Sequence, residues 1–219
     1  MFESILAEKN HQFKIPNMNR IIISGLVTIL LIAIGGCEKN EFSNKGFVPI
    51  IEHSIYDSLK PNLNYDYYEI RDHLCYNPSQ YKIIGSKGIN TFSGTIIPNY
   101  EGIRYTTADL CLFINILTIK DNDYKFWVTY SEIKDFLGTI DTKSEALFIA
   151  KLNGYYFKYD DKTFGVKEEN GKFQIVACKL VSACAPVQTD KFLIEINNLG
   201  KITILKQETV SKYENGCIK

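Results

Sequence analysis

The chain is poor in the residues on which most hydrolytic and metal chemistry depends. Its 219 residues include three histidines, two methionines, one tryptophan and six prolines. Only His53 and His73 lie beyond the first forty residues, and neither belongs to an H-E-x-x-H or similar ligand spacing. G-x-S-x-G, a phosphate loop and a dinucleotide fingerprint are missing too. No C-x-x-C occurs among the six cysteines, which argues against a zinc site. Neither sign of charge is in excess: 25 basic side chains face 25 acidic ones, so nothing steers the protein to nucleic acid. No cofactor, metal or catalytic residue is expected, and the protein reads as a non-enzyme.

One long apolar run is present, and it predicts an address. Arg20 supplies a positive charge, Ile21 to Ile34 form a fourteen-residue apolar stretch broken only by Ser24, Gly25 and Thr28, and Gly35-Gly36 precede Cys37. That is the layout of a secretory signal. A bilayer span needs about 20 apolar residues, so a retained transmembrane helix is the alternative. Ile34-Gly35-Gly36-Cys37 resembles the lipobox of bacterial lipoproteins, in which cleavage before the cysteine frees its amino group and the thiol carries a diacylglycerol. The resemblance implies Cys37 as the lipidation site, a membrane anchor made of acyl chains, and residence in the cell envelope, most simply at the outer membrane. Residues 1–17 are mixed and polar, which fits poorly before a signal. Met18 is the expected start, 18–36 the signal peptide and 37–48 a polar tether. The Ile, Tyr, Phe, Lys and Asn content resembles that of Bacteroidota proteins. Glu38 and Glu41 behind Cys37 resemble the surface-export signals of that group, and Asp57-Ser58-Leu59 its short O-glycosylation acceptor.

From Cys37 onward 183 residues remain, with 22 basic and 23 acidic side chains. That length can bury a sizeable core. In an oxidising compartment the remaining cysteines can pair. Five is odd, and Cys75 with Cys111 and Cys184 with Cys217 are the expected pairs, leaving Cys178 buried in a strand.

The fold expected is α+β, short helices packed on antiparallel sheet, divided into a first half at 49–130 and a helix-plus-meander half at 131–219. Asp66 with Glu69, ended by Asn77-Pro78, suggests a helix over Asp66 to Cys75. Glycines and Pro98 cut Tyr81 to Thr107 into brief strands. Asp109 to Lys120 alternates in two apolar faces, and Asp121-Asn122-Asp123 turns it into a hairpin partner at Tyr124 to Tyr130. Thr129 with Glu132 and Thr142 with Glu145 are capping boxes that predict helices at 131–137 and 143–153. Period-two patterning then predicts strands at 155–159, 163–168, 172–181, 190–197 and 201–208, and a tail from Lys212. Tyr67 to Leu74 and Tyr130 to Leu137 share Y-x-E-I-basic-D-x-L, a hint of two duplicated halves. The second half resembles the PepSY and cystatin-like layout, a helix across a curved sheet, which implies a binding or inhibitory module.

Several residues are weighed for chemistry. His73 with Cys75 would form a Cys/His pair, yet at i and i+2 on a helix the two diverge. Asp121 with Asp123, or Asp160 with Asp161, could serve a carboxylate-dependent hydrolase, but both pairs fall at turns. Asp121-Asn122-Asp123 begins like a calcium loop, and Lys125 and Phe126 then stand where a ligand and a glycine belong. Tyr65, Tyr67, Tyr68, Tyr76, Tyr81 and Trp127 could stack on sugars or anchor an interface. The expectation is a lipid-anchored envelope module that binds a protein, peptide or glycan. An immunity or inhibitor lipoprotein and a carboxylate-dependent hydrolase are the alternatives.

Overall fold

The computed structural model describes Phe42 and residues 45–56, 58–107 and 110–217, side chains of His53 and 106–110 excepted. The expected signal peptide at 18–36, Cys37, and Asp57 of the tripeptide that resembles a sugar acceptor lie outside the described residues. Residues from Asn44 onward form one compact unit.

The first sheet holds five strands: β1 (Tyr67–Leu74), β2 (Asn77–Gly88), β3 (Ile103–Thr107), β4 (Leu110–Lys120) and β5 (Asp123–Trp127). Its order is β2-β1-β4-β3, all antiparallel, and β5 shares the far side of β4 with β3. β3 pairs with Leu110 to Ile114 and β5 with Ile116 to Lys120, so β4 is flanked along its whole length. The second sheet is a meander of β6 (Gly165–Glu169), β7 (Lys172–Ser182), β8 (Val187–Ile196) and β9 (Ile202–Tyr213). Between the two sheets in sequence come α1 (Tyr130–Leu137) and α2 (Lys143–Leu152). The architecture is therefore sheet-rich with two antiparallel sheets, and helices are a minor component.

Both capping boxes form as expected, with Thr129 and Thr142 in extended backbone accepting from the amides of Glu132 and Glu145. α2 is buried without interruption from Ser144 to Ala150. A helix apolar on all sides belongs inside a core, and α2 touches both sheets, through β3 on one side and β6 and β7 on the other. One core results. Ile70, Ile114, Ile116 and Trp127 of the first sheet meet Phe136 and Phe148 of the helices and Phe173, Ile175, Phe192 and Ile194 of the second sheet.

The expected helix at Asp66 to Cys75 is instead β1, which pairs with β2 on one side and β4 on the other. Local capping signals lose to tertiary pairing there, because Ile70 and Tyr68 alternate with Glu69 and Arg71 in the period of a strand. The string shared with Tyr130 to Leu137 is thus strand in one place and helix in the other, so it marks no structural repeat. β2 is one twelve-residue strand where brief pieces are expected. Residues 155–159 contribute only a bridge between Tyr156 and Cys178, and β9 runs on to Tyr213 into the expected tail. Val48, expected in the tether, already bridges Val166.

Cys75 is joined to Cys111 and Cys184 to Cys217, while Cys178 is buried and free. These are the pairs favoured from the sequence.

Candidate functional site

Alternation along β1 sends Tyr68, Ile70 and Asp72 toward the core and Tyr67, Glu69, Arg71 and His73 to the opposite, outer face. The register places Asn115 beside Arg71 and Phe113 beside His73 on that face. Such polar residues would ordinarily meet water. Here Glu69, Arg71, His73 and Asn115 are all buried: Tyr81 and Phe126 lie against Arg71, Tyr81 and Phe113 against His73, and the fourteen residues 89–102 between β2 and β3 are bonded to Asn115.

Each buried group is satisfied. Glu69 accepts from the Tyr67 hydroxyl at 2.6 Å and from Arg71 Nε at 2.5 Å. The Arg71 guanidinium lies 4.5 Å from the Tyr81 ring centre and 5.2 Å from that of Phe126, a cation between two aromatic faces. His73 stacks on Phe113 at 4.4 Å, with Nδ1 2.7 Å from the Pro78 carbonyl and Nε2 3.3 Å from Asn115 Oδ1. Asn115 Nδ2 in turn donates to the carbonyls of Asn99 and Glu101. Those last bonds tie down the covering segment, helped by Phe92 against Tyr124 and by Ser93 donating to Asn122 Oδ1. Burial and the Glu69 bond push the Tyr67 hydroxyl up to about 12, so it stays a donor.

Above this braced layer the surface is apolar. Tyr81 and Ile83 of β2 and Ile97 and Tyr100 of the covering segment are 44%, 46%, 71% and 52% exposed, and Tyr76 and Ile89 flank the two ends of β2. Loops of this length without secondary structure are uncommon in compact domains unless they have work to do. Isolated exposed apolar residues are ordinary, but here six fall within 76–100.

A second polar cluster lies on the inner side, where α2 ends. Tyr105 donates to Asp72 Oδ2 at 2.7 Å, Lys151 Nζ donates to the Tyr56 hydroxyl at 2.7 Å, and Lys151 sits over the rings of Tyr56 and Tyr105. Asp72 Oδ1 is buried without a hydrogen-bond partner. Desolvation raises the Asp72 carboxyl and lowers the Lys151 ammonium, each against the pull of the other's charge. Both groups are thereby drawn toward their neutral forms, which is how a charged pair is tolerated beside an apolar core.

The residues weighed from the sequence separate clearly. Cys75 is in a disulfide, so His73 has no thiol partner there. Asp121 and Asp123 sit at the exposed β4–β5 turn, where Asp121 and Asn122 adopt positive φ. Asp161 closes its own turn by accepting from the Thr163 amide and hydroxyl, bonds that hold its carboxyl below the ordinary range. Tyr65, Tyr68 and Trp127 pack around Phe136 in the core. Tyr76 and Tyr81 are the members of that aromatic set left exposed. Among the described residues no three His, Cys, Asp or Glu side chains gather as a metal site, and no helix is long and apolar enough to cross a membrane.

Sequence reading missed the outer-face network, since it placed Glu69, Arg71 and His73 on a helix. The alternation of Tyr68, Ile70 and Leu74 with Glu69, Arg71 and His73 was the available signal, interrupted only by Asp72 on the inner face. No known protein family matches the chain, and neither characterised proteins nor solved structures are significantly similar to it.

Proposed function

We propose that this is a lipid-anchored envelope protein that acts by binding a macromolecular partner through the outer face of its first sheet, rather than by catalysis. The observation that carries the reading is the concentration of exposed Tyr81, Ile83, Ile97 and Tyr100 above a buried and fully paired Glu69–Arg71–His73–Asn115 layer. A rigid base under exposed aromatic and aliphatic side chains is the arrangement that lets such side chains contribute binding energy, because little order has to be imposed on association. The anchor rests on the apolar run before Cys37, and the two disulfides are in keeping with an oxidising compartment. The lipid fixes the protein to the envelope and leaves the outer face to meet a protein, peptide or glycan.

Photo-crosslinking in intact cells tests the binding half. A photoreactive residue at Ile97 or Tyr100 should give a discrete adduct, and one at Asn170, on an exposed turn of the second sheet, should give none. Adducts at all three positions, or at none, would remove the outer face as the binding surface. The anchor is tested separately: Cys37→Ala should abolish the acyl mass increment and release the protein from the membrane fraction.

A further inference from the structure

A cavity of about 330 Å³ opens on the other side of β1, between the segment leading into it and the end of β2. It is lined by Pro61, Leu63 and Tyr65, with the buried Tyr68 behind them, and its polar residues are Lys60, Asn64 and Lys87. None of the lining side chains is acidic.

The cavity is pre-formed. The leading segment is pinned by four hydrogen bonds: Tyr68 Oη to the Leu59 carbonyl, the Lys60 amide to Glu145 Oε1, the Asn62 amide to the Phe136 carbonyl, and the Ile89 amide to the Asp66 carbonyl. Lys87 is paired across the strands with Tyr68, so the two side chains share the same face of the sheet. At Gly88 the backbone has φ +92° and a Cβ would stand 2.0 Å from the Asp66 carbonyl oxygen, so only glycine lets the two segments close the floor.

The nearby acids are engaged elsewhere. Glu145 accepts from the amides of Lys60, Asp141 and Thr142, and Asp66 accepts from the amide of Asp121. Asp141 lies 3.5 Å from Lys60 Nζ, but both side chains are more than half exposed, and such a pair holds its lysine weakly. Two lysines and an amide thus border a compact space, with Lys60 held only by its exposed pair with Asp141.

We propose that this pocket binds a small ring compound carrying one anionic group, a carboxylate or a phosphate. Lys60 and Lys87 would take the anion, Asn64 a neighbouring hydroxyl, and Tyr65, Pro61 and Leu63 the body of the ring. The site is separate from the partner surface and does not rest on it.

Titration of the full-length protein in detergent, read by amide chemical shifts, decides the matter with three probes: glucuronate, glucose 6-phosphate and neutral methyl glucoside. Either charged ring should shift the amides of Leu63, Asn64 and Lys87, and which of the two binds tighter tells carboxylate from phosphate. Lys60→Gln with Lys87→Gln should weaken that binding by about tenfold or more, the equivalent of one charge-assisted hydrogen bond. Lys60→Arg with Lys87→Arg should retain it. Binding of the neutral ring as tight as the charged ones, retention in the double Gln variant, or no shift with any probe would each overturn the proposal.

Discussion

Glu145 offers the sharpest test of how the two sheets and the loops between them are held. It is fully buried, and its carboxylate does two jobs at once. It closes the capping box of α2 by accepting from Asp141 and Thr142, and it also accepts the Lys60 amide from 85 residues away, at 2.9 Å. The matching glutamate of α1, Glu132, accepts only from Val128 and Thr129 close by in the chain. Losing a cap costs about 0.5–2 kcal/mol, which is the whole expectation for Glu132→Ala. Glu145→Ala also orphans a distant amide bonded to a charged group, worth about 1.5–3 kcal/mol. Its total should fall at about 2–4 kcal/mol after the relief of a buried charge. For a chain of this size that lowers the melting temperature by about 4–16 °C. The assay is urea unfolding of both variants, with hydrogen exchange of the Lys60 amide alongside. If the two substitutions cost the same, and Lys60 exchanges no faster in Glu145→Ala, then the long-range bond holds nothing and the reasoning fails.

The same pair responds to pH with opposite signs. Backbone amides hold the Glu132 carboxyl below its ordinary value, so its stabilisation is present above the unfolded value and is lost as pH falls through the folded one. Burial raises Glu145, so the folded protein gains relative stability as pH falls from above its folded value toward the unfolded one. Unfolding curves between pH 7 and pH 3 should therefore show the deficit of Glu132→Gln shrinking and that of Glu145→Gln growing. Arg71→Met should cost about 3–5 kcal/mol by urea unfolding, since it leaves Glu69 charged and buried, and adding Glu69→Gln should recover most of the loss; a cost under about 1 kcal/mol would show that the network does not brace the outer face. Removing the Cys184–Cys217 bridge, which spans 33 residues, should lower stability by about 4 kcal/mol in the chain-entropy estimate, and an unchanged melting temperature would show that it constrains nothing.

The legibility of this fold differed by element for physical reasons. α1 and α2 were readable because their caps are local: a threonine, a glutamate three residues on, and Gly138 or Gly154 at the stop. β4 and β5 were readable because an apolar, β-branched run was joined to a second, aromatic one by a turn rich in Asp and Asn. β1 was misread because Asp66 and Glu69 imitate a cap, whereas its structure is set by two neighbours, β2 and β4, that no local window contains. The outer-face site went with it. Its four polar residues are covered by Tyr81, Phe113, Phe126 and, at Asn115, residues 89–102, and nothing local tells a covered polar face from a wet one. The pocket at Lys60 and Lys87 brings together residues 27 apart in sequence through the β1–β2 hairpin. Register, not composition, assembles it.

How a partner can reach this protein follows from how its sheet edges end. β2 closes one side of the first sheet, and the pairing skips Ile84 between Ile83 and Gly85, a bulge that breaks the edge. β9 closes the second sheet and is broken twice in the same way, at Leu205 and Val210. The opposite margins are short strands of five residues, β3 and β5, and β6, whose free side is already met by Val48. Bulged, short or covered edges resist the addition of a further strand. Main-chain pairing is therefore a poor route for association, although both outer strands are long. What remains accessible is side-chain surface, and on the first sheet that surface carries Tyr81, Ile83, Ile97 and Tyr100. If the proposed binding depends on the side chains the 89–102 segment presents, grafting glycine and serine over Ile97 to Tyr100 should abolish crosslinking from a photoreactive residue at Ile83 while leaving the unfolding midpoint close to that of the parent. A comparable replacement of the exposed Leu205 and Val210 should leave crosslinking untouched.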